Sequence, residues 1–147
     1  MQRFPIAYLV LVLFLTACAP LTALPVSTPT PAAAQPNDYA PGPADGRLMR
    51  SQAFLDSVNL LTLESYPLQF SLALAGNLPT PCNHLRVGVS PPDAENKIVV
   101  NVYSVVDPNA VCIQMLEPFE VSIPLGSYPS GHYTLWVNGE QVAEFDA

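Results

Sequence analysis

The sequence predicts that residues 49–147 fold as a small, all-β, antiparallel two-sheet sandwich of about seven short strands. Apolar and polar side chains alternate along a series of short segments, which is typical of strands with one buried face. Pro, Asn and Gly residues separate these segments and end each strand. Because every alternating strand has one apolar face, two sheets are expected to pack with those faces together.

The expected elements follow one another along this part of the chain. Residues 51–58 are the one stretch that could hold a helical turn, and residues 58–63 favour a first, less regular strand. The remaining strands are expected at residues 68–75, 84–89, 98–103, 119–125, 133–137 and 141–145. Asn138-Gly139 predicts a type I′ hairpin turn between the last two strands. Pro118 and Pro124 favour an edge position for their strand.

The first residues have the layout of a secretory signal. Arg3 precedes an apolar run over residues 4–15 that is short for a permanent membrane span, and small Ala17 stands directly before Cys18. Residues 15–18, with the sequence LTAC, resemble the lipobox of bacterial lipoproteins. The resemblance implies cleavage before Cys18 and lipidation of that cysteine by acyl chains such as palmitate. An ordinary cleaved signal with a chance cysteine is the alternative.

Two or three acyl chains hold a protein on a bilayer, whereas one chain binds only marginally. A lipidated Cys18 therefore predicts an exported protein anchored to the bacterial cell membrane or to the outer membrane. Residues 18–48 are rich in Pro, Ala and Thr, a composition that does not bury a core. We expect three parts: a signal peptide at residues 1–17, a disordered spacer at 18–48, and the sandwich at 49–147.

The charge of the chain is acidic, with five Lys and Arg residues against twelve Asp and Glu residues. Such a surface lacks the basic footprint of a nucleic-acid-binding protein, so no nucleic-acid partner is expected. It also disfavours a direct electrostatic attraction to anionic lipid headgroups. The lipid anchor is therefore the expected link to the membrane.

Cys82 and Cys112 form an even pair once Cys18 is assigned to lipid, and an exported protein lies in an oxidising compartment. The pair predicts a disulfide. The alternative is a copper site built from Cys82, His84, Cys112, Met115 and His132, because sulfur and imidazole suit copper. Cupredoxins cluster their ligands on one loop, and residues 112–115 contain no His. No cofactor or metal is therefore expected.

Catalytic motifs are not apparent in the sequence. Ser130-Gly131-His132 is typical of a turn, and the sequence has no Gly-x-Ser-x-Gly elbow. Glu117 and Glu120 lie on one strand at a spacing that directs them to opposite faces, away from a shared cleft. We therefore expect that the protein is not an enzyme.

Trp136 is the side chain most suggestive of a binding face. It alternates with Leu135 and Val137, which predicts an outward orientation, and Tyr103 and Tyr128 are candidates to share that face. An exposed aromatic patch on a sandwich binds a partner protein or a carbohydrate. In the alternative reading, which we favour because apolar surface is normally covered, Trp136 packs against the spacer or residues 49–54.

Residues 55–145 resemble uncharacterised immunoglobulin-like or fibronectin-like C-terminal domains of some bacterial lipoproteins. The resembling segments are residues 78–82, 112–120 and 131–139. The resemblance implies an immunoglobulin-like sandwich at the cell envelope and leaves the activity open. We expect a non-enzymatic structural or binding module for an envelope protein or carbohydrate. The alternative is an immunoglobulin-like inhibitor of secreted proteases that uses the loops at residues 77–81 and 90–96.

Overall fold

A computed structural model describes residues 37–147 of the chain, and it confirms the predicted β-sandwich. Eight strands form two sheets, one more strand than the sequence predicts. The strands are β1 (Met49–Ser51), β2 (Phe54–Leu63), β3 (Gln69–Leu78), β4 (His84–Val89), β5 (Lys97–Val106), β6 (Glu117–Gly126), β7 (His132–Val137) and β8 (Glu140–Asp146). Among these residues no helix is long and apolar enough to cross a membrane.

The smaller sheet has three antiparallel strands in the order β2-β3-β6, so β2 and β6 are its edges. The position of β6, which contains Pro118 and Pro124, confirms the edge predicted for that strand. The larger sheet has five strands around β5. Val100 of β5 pairs with Val89 of β4 on one side and with Val137 of β7 on the other. β1 pairs with the end of β5, and β8 pairs with β7.

Two details of the topology differ from the prediction. β5 and β7 run parallel, because the long connection between them places β6 in the other sheet. Residues 51–58 do not form a helical turn. Ser51 ends β1 and pairs with Ser104 of β5, and β2 begins at Phe54 with a bulge between Leu55 and Ser57. Pairing with distant strands therefore overrides the local tendency of this segment.

The core lies between the inner faces of the two sheets. Its fully buried side chains come from alternate positions of β3, β4, β5, β6 and β7, as the period of two predicts. They are Leu72, Val87, Ile98, Val100, Ile123 and Leu135. Asn138 and Gly139 both have positive φ angles, 50° and 91°, as a type I′ turn requires. The last hairpin is therefore built as predicted.

The end of the predicted spacer lies against the sandwich. The backbone N–H of Val87 in β4 donates to the carbonyl oxygen of Tyr39 at 2.7 Å. Arg86 donates from Nε and Nη2 to the carboxylate of Asp45 at 2.8 and 3.0 Å, and Asp45 lies in the 3₁₀ turn Pro43–Arg47. Described residues ahead of the expected boundary at residue 49 thus contact the sandwich. The predicted signal and Cys18 lie outside the described residues.

Candidate functional site

The loop between β5 and β6, residues 107–116, is the most exposed apolar segment at one end of the sandwich, and we call it the Cys112 loop. Val111 is fully exposed, and Ile113 is 64 % exposed. Met115 and Leu116 are each more than half exposed. Isolated apolar residues are common on protein surfaces, but a run of them indicates a surface that is covered by something else.

A disulfide anchors this loop to the rest of the domain. Cys112 is bonded to Cys82, with 6.1 Å between their Cα atoms, so the structure contains the predicted bridge. Cys82 lies in a firmly held turn after β3. The neighbouring Asn83 is buried, its backbone N–H donates to Thr80 at 3.0 Å, and its side chain donates to Ser104 of β5 at 3.0 Å. The bridge therefore attaches the centre of the loop to a turn that the core itself fixes.

The rest of the loop depends on local hydrogen bonds. Asp107 begins it with a turn: its carboxylate accepts from the backbone N–H of Asn109 at 2.8 Å, and its carbonyl accepts from Ala110 at 3.0 Å. Beyond the bridge, the N–H of Met115 donates to the carbonyl of Ile113 at 3.1 Å. The loop has no regular strand pairing, so much of its backbone remains available to a partner.

The chemistry that this loop offers is contact and not catalysis. Residues 108–116 contain no Asp, Glu, Lys, Arg or His. Its side chains can bury apolar area, and its backbone can pair with an extended segment, but no side chain here transfers protons at neutral pH. An apolar, uncharged and covalently anchored loop is suited to binding another molecule.

The aromatic side chains predicted to form a binding face do not lie together. Trp136 is half-buried on the outer face of the larger sheet, and Lys97 Nζ lies 4.0 Å from the centre of its ring. Tyr103 is on the same face, with Arg50 Cζ 3.7 Å from its ring centre. Trp136 is paired with Val99, and Tyr103 lies four residues further along β5, a separation of about 13 Å. Each ring therefore has its own cation and no aromatic neighbour on that face.

Tyr128 is not on the face predicted for it. It lies in the segment that crosses from β6 in one sheet to β7 in the other, where it closes the end of the core. Its ring packs near those of Phe70, Tyr133 and Phe145, with centroids 6.0, 5.2 and 5.9 Å away. Burial, with a smaller contribution from Tyr133, raises the pKa of Tyr128 to about 12. Tyr128 therefore packs against the core and does not lie on the outer face with Trp136.

The residues considered for copper are dispersed. Cys82 and Cys112 are bonded to each other, so neither supplies a thiolate. His132 contacts two carboxylates of β8: its Nδ1 lies 2.9 Å from Asp146, and its Nε2 lies 3.6 Å from Glu144. The hydrogen bond to Asp146 is the main reason that the pKa of His132 is raised. Within residues 37–147 no group of three or more His, Cys, Asp and Glu is arranged to hold a metal.

The two loops proposed for protease inhibition lie at opposite ends of the sandwich. Residues 77–81 comprise the last two residues of β3 and the turn after it, at the end that carries the Cys112 loop, and residues 90–96 join β4 to β5 at the other end. The second loop is closed on itself, because Asp93 accepts from the N–H groups of Glu95 and Lys97 at 3.1 and 2.8 Å. The sequence analysis does not predict the Cys112 loop as a binding surface. Its signal is a run of apolar residues without alternation and without charge at residues 110–116.

Comparison with known proteins extends the description of the fold. No curated protein and no solved structure matches the chain. The family model of the ORF11 beta-sandwich domain matches residues 72–147, which is about half of the chain. The match begins within β3, continues to the end of β8, and includes both bridged cysteines and the Cys112 loop. The chain therefore belongs to the ORF11 beta-sandwich domain family.

Proposed function

We propose that the protein is a lipid-anchored, non-enzymatic binding module of the bacterial cell envelope, and that the Cys112 loop is its surface for a partner protein. The observation that carries the proposal is the run of exposed apolar side chains on this loop, among them Val111 and Ile113. Leaving such a run in water is unfavourable, so contact with a complementary apolar surface releases water and favours association.

The disulfide supports a binding role. A free loop of this length loses conformational freedom when it is held by a partner, and that loss opposes binding. The Cys82–Cys112 bond removes part of this freedom in advance, because it ties the loop to a turn packed on the core. The bridge therefore stabilises the domain and also pre-organises the surface that we assign to the partner.

The arrangement of the polar side chains in the described domain supports a binding role without catalysis. Both of its cysteines are in the disulfide. His132 has two carboxylates, those of Glu144 and Asp146, as its ionic partners, and all three side chains are exposed to solvent. A nucleophile paired with a base, which acyl transfer requires, is thus not assembled around His132.

The lipid anchor would hold this binding module near the membrane. Residues 15–18 have the lipobox pattern, and the described contacts with the sandwich include the hydrogen bond from Val87 to the carbonyl of Tyr39. An extended Pro-rich chain spans about 3 Å per residue, so residues 19–36 give a reach of up to about 55 Å. This length lets the Cys112 loop meet a partner within the envelope while the chain stays anchored.

The anchor is tested by Cys18→Ser. We expect this variant to lose incorporation of labelled palmitate and to leave the membrane fraction. The control is the double variant Cys82→Ser/Cys112→Ser, which should retain both the label and the membrane association. Normal labelling and membrane association of Cys18→Ser would refute the anchor without affecting the proposal for the loop.

The loop is tested by site-specific photo-crosslinking in intact cells. A photoreactive amino acid at position 111 should give a discrete protein adduct, and the same probe at position 95, at the other end of the sandwich, should not. Adding Ile113→Asp to the chain with the probe at 111 should abolish the adduct, because the charge opposes burial of the loop. Equal adducts from both positions, or an adduct unaffected by Ile113→Asp, would refute the loop as a binding surface.

A second candidate function, inhibition of a secreted serine protease, is favoured by one feature of the same loop. Fully exposed Val111 stands beside the bridged Cys112 in a segment without strand pairing. Such a segment can add to a protease cleft as an extended strand. We expect slow, saturable inhibition of enzymes with an apolar specificity pocket.

Substitution by arginine tests this second function. One of the single variants Val111→Arg, Ile113→Arg or Met115→Arg should transfer inhibition to a trypsin-like enzyme, because arginine would then fill an acidic specificity pocket. Rapid cleavage within the loop by every protease tested, without inhibition, would exclude an inhibitor and leave the binding module intact.

A further inference from the structure

We propose that the free edge of β2 is a second docking site, which accepts an extended segment of another protein as an added strand. Within residues 37–147, β2 is an edge of the three-stranded sheet and pairs only with β3. A free edge carries a row of backbone donors and acceptors without partners, and proteins normally block it. This edge is distinct from the Cys112 loop and does not depend on its proposed role.

The other long edge strands of the described sandwich, β4, β6 and β8, each carry a feature that hinders pairing, and the remaining edge, β1, has only three residues. β6 contains Pro118 and Pro124, and proline cannot donate to an added strand. β4 is covered in part by the segment of Tyr39, whose carbonyl accepts from Val87. β8 has three acidic side chains in seven residues, which discourage pairing.

The edge strand β2 lacks these protections along most of its length. Residues 57–63 contain no Pro and no charged residue. Leu61 and Leu63 lie on its outer face and are 44 % and 46 % exposed. An edge strand with exposed leucines is a template for a further strand. No strand within residues 37–147 covers this edge, so its backbone groups are accessible to an added strand from a partner.

The side of the sandwich next to β2 is also open. A groove of about 300 Å³ lies between β2 and the β7–β8 hairpin. Its apolar lining includes Leu55, Val58 and Val142, which are only partly buried. On the opposite side, Tyr39 packs against the core beside β4. The inward side chains of an added strand would cover the β2 side as Tyr39 covers the other.

The negative charge of the groove beside β2 indicates which kind of segment would bind there. Asp56 and Glu140 both line this groove, and the chain as a whole has a net charge of −7. In a dimer formed through β2, the acidic β8 strands of the two copies would face each other and repel. The spacer has no Lys or Arg before Arg47, and the runs between its prolines have at most four residues. The fitting occupant is an extended segment with apolar residues along β2 and a Lys or Arg beside Asp56 and Glu140.

The probe for this site is a synthetic peptide of about nine residues, with alternating Val and Thr and a Lys at each end. Its binding to the purified chain is measured by fluorescence anisotropy, and exchange of the β2 amide hydrogens is measured in parallel. We expect slower exchange in β2 on binding, because the free N–H groups gain partners. The same peptide with Glu at its ends should bind about tenfold more weakly. Equal binding of the two peptides would overturn the proposal.

Substitutions locate the binding. Asp56→Asn/Glu140→Gln should remove the preference for the Lys-ended peptide, whereas the control Glu95→Gln/Glu117→Gln, which removes the same charge elsewhere, should retain it. A preference lost equally in both variants would show that only net charge acts and would refute the site.

Proline provides a test of the backbone pairing. In a strand, neighbouring N–H groups point to opposite edges. One of Asn59→Pro and Leu60→Pro therefore removes a free N–H and leaves the β2–β3 pairing intact. The folded member of this pair should lose peptide binding, whereas Val111→Pro in the Cys112 loop should not. Undiminished binding by the folded variant, or dimerisation through β2 in sedimentation experiments without peptide, would overturn the assignment to an extended partner segment.

Discussion

Removal of the disulfide should lower the stability of the domain by an amount that can be worked out from its position. Cys82 and Cys112 are separated by 30 residues along the chain. Closing a loop of this length in the unfolded state costs entropy equivalent to about 3.6 kcal/mol at 25 °C in the chain-entropy description. The free energy of unfolding of Cys82→Ser/Cys112→Ser should therefore fall by about 3–4 kcal/mol.

The corresponding fall in melting temperature depends on the size of the cooperative unit. An unfolding entropy of about 2 cal/mol/K per residue over residues 37–147 converts this loss to about 15 °C. Differential scanning calorimetry of the double variant and urea unfolding give the two quantities independently. Wild-type protein treated with a reductant should behave like the double variant.

The control separates the bridge from the loop contacts. Val111→Ser alters the same loop but leaves the bridge, and it should change the free energy of unfolding by less than about 0.5 kcal/mol because Val111 is fully exposed. A fall of less than about 1 kcal/mol in the double variant, with intact wild-type folding, would refute the entropic reasoning. Such a result would mean that the unfolded chain already keeps these two segments together.

Three further changes test other parts of the structure. Gly76→Ala should destabilise the domain by at least about 2 kcal/mol in urea unfolding, because its Cβ would overlap the carbonyl oxygen of Phe54 across the β2 bulge, whereas Gly88→Ala should have little effect. His132 has a pKa raised above 6.5, chiefly by its hydrogen bond to the carboxylate of Asp146 in β8. The contribution of this interaction to the stability of the folded state is therefore complete below pH 6.5 and is lost as the pH rises through the raised pKa. His132→Gln should remove this pH dependence of the melting temperature. Trp136→Ala should cost about 1–2 kcal/mol, because the ring is half-buried beneath a lysine, and a loss of about 4 kcal/mol would show a fully packed ring.

The fold could be predicted from the sequence where a strand has one buried face. The alternation around Leu72, and again around Val100, gives both the strand and the inward side chains that the structure shows. β1 could not be predicted in this way. It has three residues and no buried side chain, and it exists because Ser51 and its neighbours pair with the far end of β5. The parallel pairing of β5 and β7 likewise depends on the arrangement of the other strands.

The candidate site was predicted only in part. The cysteine count gave the Cys82–Cys112 bridge, because an even pair in a chain that is expected to be exported has a simple chemical outcome. The loop that the bridge anchors has no periodicity, and apolar residues outside a periodic segment do not reveal whether they are buried. The sequence therefore directed attention to Trp136, whose alternation gives its face correctly, but alternation does not report that Lys97 lies over its ring.

The contacts of residues 37–48 determine how the sandwich would be presented to its partners. This segment is fixed to the β4 side by the Asp45–Arg86 pair, and the hydrogen bond from Arg86 lowers the pKa of Asp45. The chain thus enters along the side of the sandwich opposite to β2, and the Cys112 loop occupies one end. A tether attached at the end or on the β2 side would obstruct one of these surfaces. Attachment beside β4 leaves both accessible at the same time, so with the anchor and the two sites that we propose, one molecule would hold a partner at the loop while an extended segment of another occupies the β2 edge.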